Sequence, residues 1–130
     1  MKELELYDEK FVKVDEFSAE SGYKMMKEVL KLKERPTAVF CANDSIAMGA
    51  YKAVRERNLK IFDDIPIIGF NDLKISQYMT PPLTTLRIDT KIIAEETINV
   101  LTELLENKRS YRKKVYLPVE LIERESCGSI

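Results

Sequence analysis

Cys41-Ala42-Asn43-Asp44-Ser45-Ile46-Ala47-Met48-Gly49-Ala50, or CANDSIAMGA, is the stretch on which the fold turns. A run with the look of a buried strand, Ala38-Val39-Phe40-Cys41-Ala42, stops at two polar residues, and a small-residue helical pattern starts at once. Two readings are open. In the first, Asn43 or Asp44 simply caps the helix by accepting hydrogen bonds from its first free N–H groups. In the second, one of the pair caps and the other points at a ligand.

Outward from this junction, strand and helix signals alternate. Lys10 to Phe17 is rich in β-branched and aromatic residues and predicts a strand. Ser18 then suits an N-cap, Glu20 favours the positive end of a helix dipole, and Gly22, Met25, Met26, Val29 and Leu30 recur at helical spacing, predicting a helix to about Lys33. Arg35-Pro36 ends it. Thr37 to Ala42 is the second strand, Ser45 to about Arg57 the second helix, and Asn58 its stop. Ile65 to Phe70 is the third strand, and it too runs straight into Asn71-Asp72. After the turn-rich TPPLTT (Thr80 to Thr85), Leu86-Arg87-Ile88 predicts a short strand. A third helix, capped by Asp89 or Thr90, extends through Asn107 with a wide apolar surface that needs cover on more than one side. The tail from Val115 to Glu125 alternates as strand, broken at Pro118.

This alternation predicts an α/β domain, a parallel sheet with helices on both faces. In such sheets ligands bind beyond the carboxyl ends of the strands. Three strand ends here deliver Phe17, Asn43-Asp44 and Asn71-Asp72. Amides exchange hydrogen bonds with hydroxyls and a ring stacks on an apolar face, so the set suits a neutral polyhydroxylated ligand such as a sugar. The bland alternatives are a helix cap at Asn43-Asp44, a turn at Asn71-Asp72 and a core ring at Phe17. A Gly-rich phosphate loop with Lys is absent.

Composition narrows the classes. The 130 residues suit one domain, and 45% apolar with 33% charged residues is the balance of a globular chain. A net charge of −1 gives no general attraction to nucleic acid or anionic membrane. No apolar stretch approaches the ~20 residues of a spanning helix, and Met1 to Leu6 lacks the apolar region of a secretory signal. Cys41 and Cys127 are read as reduced thiols of a cytoplasmic protein. Without a single histidine, the commonest general base and metal ligand is missing, and neither a metal nor another cofactor is expected. Asp63-Asp64 lie before the third strand, the wrong end for a receiver-type acidic cluster, and no nucleophile–base pair is evident, so the chain is not read as an enzyme. The basic run NKRSYRKK (Asn107 to Lys114) reads as a solvated turn, its first cations favouring the helix end, rather than as a phosphate-contacting patch. The Met48 and Tyr51 side of the second helix is apolar beyond its core face, suiting either a second core layer or a subunit contact.

RPTAVFCANDSIAMGAYKAVRERNL, IPIIGFND, YMTPPLTTLRID and VYLPVELIERESC together resemble the LacI/GalR family of sugar-responsive transcriptional repressors, over essentially the whole chain and in order. The resemblance implies a periplasmic-binding-protein-like (flavodoxin-like) effector lobe, incomplete here. Residues 1–130 would be the carboxyl-terminal lobe plus a crossover segment from about Asp89 to Leu117, with the amino-terminal lobe and DNA-binding domain absent. It implies a small-molecule effector, with a sugar the choice, held by a stacking ring at Phe17 and polar groups at Asn43 and Asn71, and Asp44 as the helix cap. Asn71 is a departure, since the family usually has Asp there. The family's dimer face would fall near Met48, Tyr78 and Met79, which tips Met48 towards an interface. A homodimer or larger is expected, touching operator DNA only through a domain missing from this chain and touching no membrane. Alone the chain is expected to bind sugar weakly or not detectably. The alternative is a fragment of a periplasmic sugar-binding protein of an uptake system. Exposed apolar area on the third helix and an unpaired strand edge are expected to promote self-association.

Overall fold

The computed structural model describes residues 8–106 and 111–128. Helix α1 (Ala19–Val29) precedes strand β1 (Val39–Phe40). Helix α2 (Asp44–Glu56) leads to β2 (Ile67–Phe70), and β3 (Thr84–Arg87) is followed by α3 (Thr90–Leu105) and β4 (Glu120–Ile122). The sheet order is β1-β2-β3-β4, parallel through β3, with β4 antiparallel on β3. The α/β class holds, and one antiparallel strand borders an otherwise parallel sheet.

Local chemistry sets the helix ends. Ser18 Oγ accepts from Ser21 N at 3.1 Å and caps α1 as expected. Asn58 adopts φ 55°, with its N–H on Arg55 O (2.9 Å) and the Leu59 N–H on Val54 O (3.2 Å). This pair of closing bonds is a Schellman stop, tolerated at Asn58 because a short polar side chain accepts the left-handed region. Asp89 caps α3 by accepting from Lys91 N and Ile92 N.

The core lies between α1, α2 and one face of the sheet. Met26, Val29 and Leu30 meet Ala47, Ala50, Ala53 and Val54, and beneath them lie Ile67 and Leu83. Fully burying side chains such as Val54, Ile67 and Leu83 stabilises by about 2 kcal/mol each. The two helices cross closely because glycine faces backbone: a Cβ at Gly22 would overlap Ile46, and one at Gly49 would overlap Ala19. Strand register puts Val39 and Ile67 on the face towards α2 and Phe40 and Ile68 on the other, where Phe40 is 63% exposed. Buried Ser126 ties the strand starts together: its Oγ donates to Ile67 O (2.6 Å) and accepts from Thr84 N (2.8 Å).

Several elements differ from the sequence reading. Lys10 to Phe17 is no strand: Glu9–Phe11 form a 3-10 turn capped by Asp8, and Val14 is 90% exposed. β-branched composition does not make a strand without a neighbour to complete its ladder. Here Lys10 and Lys13 pair instead with Glu34 and Glu28. α1 stops at Val29, with Lys31 N on Glu28 O and Leu32 N on Val29 O tightening its exit. β3 starts at Thr84, earlier than Leu86, because the hydroxyls of Thr84 and Thr85 find internal partners. Only Glu120–Ile122 of the tail pairs as a strand. α3 ends at Leu105; Asn107 and the next three residues of the basic run lie outside the described residues, while Lys113 pairs with Glu103 at 2.8 Å. No residue of α3 is buried, and Ile98, Leu101, Leu104 and Leu105 are exposed. Among the described residues no helix is long and apolar enough to cross a membrane.

Candidate functional site

The carboxyl ends of β1 and β2 are neighbours in a parallel ladder, so the residues that leave the two strands share one rim. After β1, Asn43 sits in extended backbone (φ −155°, ψ 169°), and its Oδ1 accepts from Ile46 N at 2.8 Å. Asn43 is thus the N-cap of α2. Its Nδ2 reaches the Phe17 carbonyl at 3.4 Å, which fastens the ring-bearing segment to the rim while Phe17 stays 70% exposed.

The assignment of Asp44 as cap is corrected. Asp44 is the first helical residue and is fully buried. Its Oδ1 accepts from Thr85 Oγ1 (2.6 Å), and its Oδ2 accepts from Ser76 Oγ (2.7 Å) and Leu73 N (2.7 Å). The physical reason is geometric. From the N-cap position a short side chain curls back to the free N–H of the third helical residue, whereas from the first helical position it projects off the helix onto the sheet. Gly69 makes room, since a Cβ there would overlap the Asp44 carboxylate. Asp44 therefore joins α2 to β3 and to the loop after β2.

Asn71 and Asp72 both turn through positive φ, 102° and 49°, at the tip of β2, and the Asn71 N–H bonds Leu86 O at 2.7 Å. For a residue with a side chain φ near 102° is a costly conformation, held here by bonds on both sides. Asp72 is clamped: Oδ2 accepts from Arg87 Nε (2.8 Å) and Nη2 (2.6 Å), Oδ1 from Arg124 Nη2 (2.7 Å). Burial pushes its pKa up, but the Arg124 and Arg87 guanidiniums outweigh that and hold the carboxyl below its ordinary value. Asn71 lines a hollow of about 660 Å³ with Asp72, Arg87, Asp89 and Glu120; Phe17 and Asn43 are not on its lining. The Asn43 side chain thus bonds the Phe17 main chain, while Asn71 follows the neighbouring strand β2 and lines a hollow of its own.

The proposed interface residues also meet. Met48, Tyr78 and Met79 line one groove of about 530 Å³. Met48 is 41% exposed and Tyr78 74%. Tyr51, on the same helix, is core instead: it is buried, and its hydroxyl donates to Pro81 O at 3.2 Å. Arg55 donates to Thr80 O beside it, where the Thr80–Pro81 bond is cis. Sequence reasoning missed Ser76, Thr85 and Arg124, because isolated hydroxyls and a tail arginine carry no periodic signal. The hint available was the pair of threonines at the start of a strand that had to be buried.

Both thiols are free. Burial first, and the Asp44 carboxylate second, push Cys41 up to about 12. Among the described residues no cluster of His, Cys, Asp and Glu could hold a metal ion.

Comparison with known proteins matches residues 1–127 to the periplasmic binding protein-like domain. The chain is 45% identical over 108 residues to the lactose operon repressor of Rhizobium radiobacter, covering 83% of this chain and 95% of that sequence. It is 39% identical over 125 residues to the transcriptional repressor PurR of Serratia proteamaculans, covering 96% of this chain but 36% of PurR. Among solved structures, a lac repressor dimer bound to operator and an anti-inducer superposes with TM-score 0.77 at 31% identity, covering 86% of this chain and 39% of that one. The regulator CelR in complex with cellobiose gives 0.84 at 26% identity (92% and 37%). A LacI-family regulator of Enterococcus faecium with bound ribose gives 0.71 at 28% (86% and 41%). The chain spans about a third of the length of its PurR relatives. With this fold, motif order and match along nearly all its length, the chain belongs to the periplasmic binding protein-like domain family, in the form carried by LacI/GalR transcriptional regulators.

Proposed function

We propose that this chain is the effector-sensing and dimerisation lobe of a LacI-type transcriptional repressor, with a small neutral sugar as its effector. The observation that carries the reading is the Asn43 amide, bonded to the Phe17 carbonyl beyond β1, with Asn71 following the neighbouring parallel strand β2. That rim offers hydroxyl-binding amides beside an exposed ring. The relatives solved with cellobiose and ribose support a sugar, and their repressor names favour a regulator over the uptake-protein alternative. The lobe would supply one wall of a cleft; the second lobe and the operator-binding segment would be contributed by sequence outside these 130 residues. α3, with no buried residue, supports the crossover role from about Asp89 to Leu117. Sugar binding between two lobes would favour one arrangement over the other and so release DNA. Met48, Tyr78 and Met79 form the dimer face in this reading.

Sedimentation velocity tests the dimer half: the chain should sediment as a dimer, and Tyr78→Lys should weaken it. Calorimetry with ribose and cellobiose tests the sensing half, with weak binding abolished by Asn43→Ala. Submicromolar binding by this chain alone would show that no second wall is needed and would refute the half-cleft reading.

A further inference from the structure

Between the β2 tip and the Met48 patch run nine residues, 71–79, and almost every bend in them is tied. Asp72 is held by Arg87 and Arg124. The Leu73 N–H and the Ser76 hydroxyl both bond Asp44 Oδ2. Ser76 N bonds Leu73 O (2.8 Å), Tyr78 N bonds Ile75 O (2.9 Å), and Leu83 N returns to Ser76 O (2.9 Å). Ser76 and Asp44 are both fully buried. One end of this segment is Asn71 on the rim; the other is Tyr78 and Met79 on the groove they share with Met48.

We infer that residues 71–79 act as a strap carrying displacement at the rim to the Tyr78–Met79 surface, with Asp44 as the positioning residue that clamps it. The three donors to Asp44 are a backbone N–H and two hydroxyls, all neutral. A buried carboxylate held by neutral donors depends on their geometry for its compensation, so sliding the strap by even an ångström strands the charge. Such a network moves as a unit or not at all. Asp44 also follows Asn43 directly, so a ligand pulling on Asn43 or on Asn71 acts on the same carboxylate. Binding free energies are reciprocal, hence whatever the rim does to the patch, occupation of the patch does to the rim. This inference deepens the effector-and-dimer reading and rests on it for its biological meaning.

The test needs no effector, which separates its failure from failure of that reading. In the full chain, amide hydrogen exchange and NMR shifts of Tyr78 and Met79 are followed in a double-mutant cycle of Asn71→Gly with Ser76→Ala. Glycine relaxes the φ 102° turn, and alanine removes one clamp while changing side-chain volume little. Asn71→Gly alone, which keeps the backbone bond to Leu86 O but changes the strain of the turn, should shift exchange at Tyr78 and Met79 by about tenfold. In the Ser76→Ala background the same change should have less than about a twofold effect. Asp44→Asn supplies a second clamp variant with the same expected loss of coupling. Equal effects in both backgrounds, no effect at Tyr78 and Met79, or a uniform acceleration that includes the Val54 and Ile67 amides would each overturn the strap.

Discussion

Replacing Asp44 by alanine separates a buried hub from a helix cap. The substitution leaves the Leu73 N–H and the Ser76 and Thr85 hydroxyls without their acceptor in a site closed to solvent. Hydrogen bonds to a charged acceptor are worth about 1.5–3 kcal/mol each, and hydroxyls that rotate to new partners recover part, so the expected loss is about 4 kcal/mol. Against a domain stability of about 5–15 kcal/mol that is a large share. With a urea slope of about 1.5 kcal/mol/M, the midpoint should fall by roughly 2.5 M at unchanged slope. Asn43→Ala removes the cap bond and the long bond to the Phe17 carbonyl and should cost about 1 kcal/mol, a fall of about 0.7 M. Urea unfolding followed by far-UV circular dichroism measures both. If Asp44→Ala loses no more than Asn43→Ala, the hub assignment is refuted.

Gly69→Ala should also destabilise, by about 1–3 kcal/mol, because its methyl overlaps the Asp44 carboxylate; a variant as stable as the parent in the same urea assay would contradict that contact. Asp72 has its pKa held below its value in the unfolded chain, so its clamp contributes fully above about pH 4 and fades as pH falls through the lowered folded value. The stability gap between the parent and Asp72→Asn should therefore be wide at pH 7 and narrow in acid, and a gap independent of pH would refute the ion-pair account. Cys41 is buried with its pKa raised to about 12, so a disulfide reagent at mildly alkaline pH should modify Cys127 alone until urea is added. Reaction of both thiols at similar native rates would contradict the burial of Cys41.

An apolar strand ending in a polar pair, met twice, was enough to place the ends of β1 and β2, and the small residues after the first pair placed α2, because burial periodicity and capping chemistry are local properties. Which of two adjacent polar residues caps was not legible: Asn43 and Asp44 both cap well in isolation, and the choice is made by Gly69 and two hydroxyls distant in the chain. Lys10 to Phe17 has strand composition but no ladder to join, a fact held in its neighbours rather than in itself. Thr84 and Thr85 looked like turn because threonine hydroxyls are polar, yet Asp44, Arg124 and Cys127 supply bonds that let them enter the sheet. The Met48, Tyr78 and Met79 grouping came from family resemblance; apolar patterning alone had left Met48 and Tyr51 equivalent.

Titration of the isotopically labelled chain with ribose and with cellobiose, followed by two-dimensional NMR, bears most directly on the rim. Weak, saturable shifts should centre on the Phe17, Asn43 and Asn71 amides and leave the core amides of Val54 and Ile67 unmoved. Saturable shifts gathered anywhere else would mean that this rim is not the wall of an effector cleft.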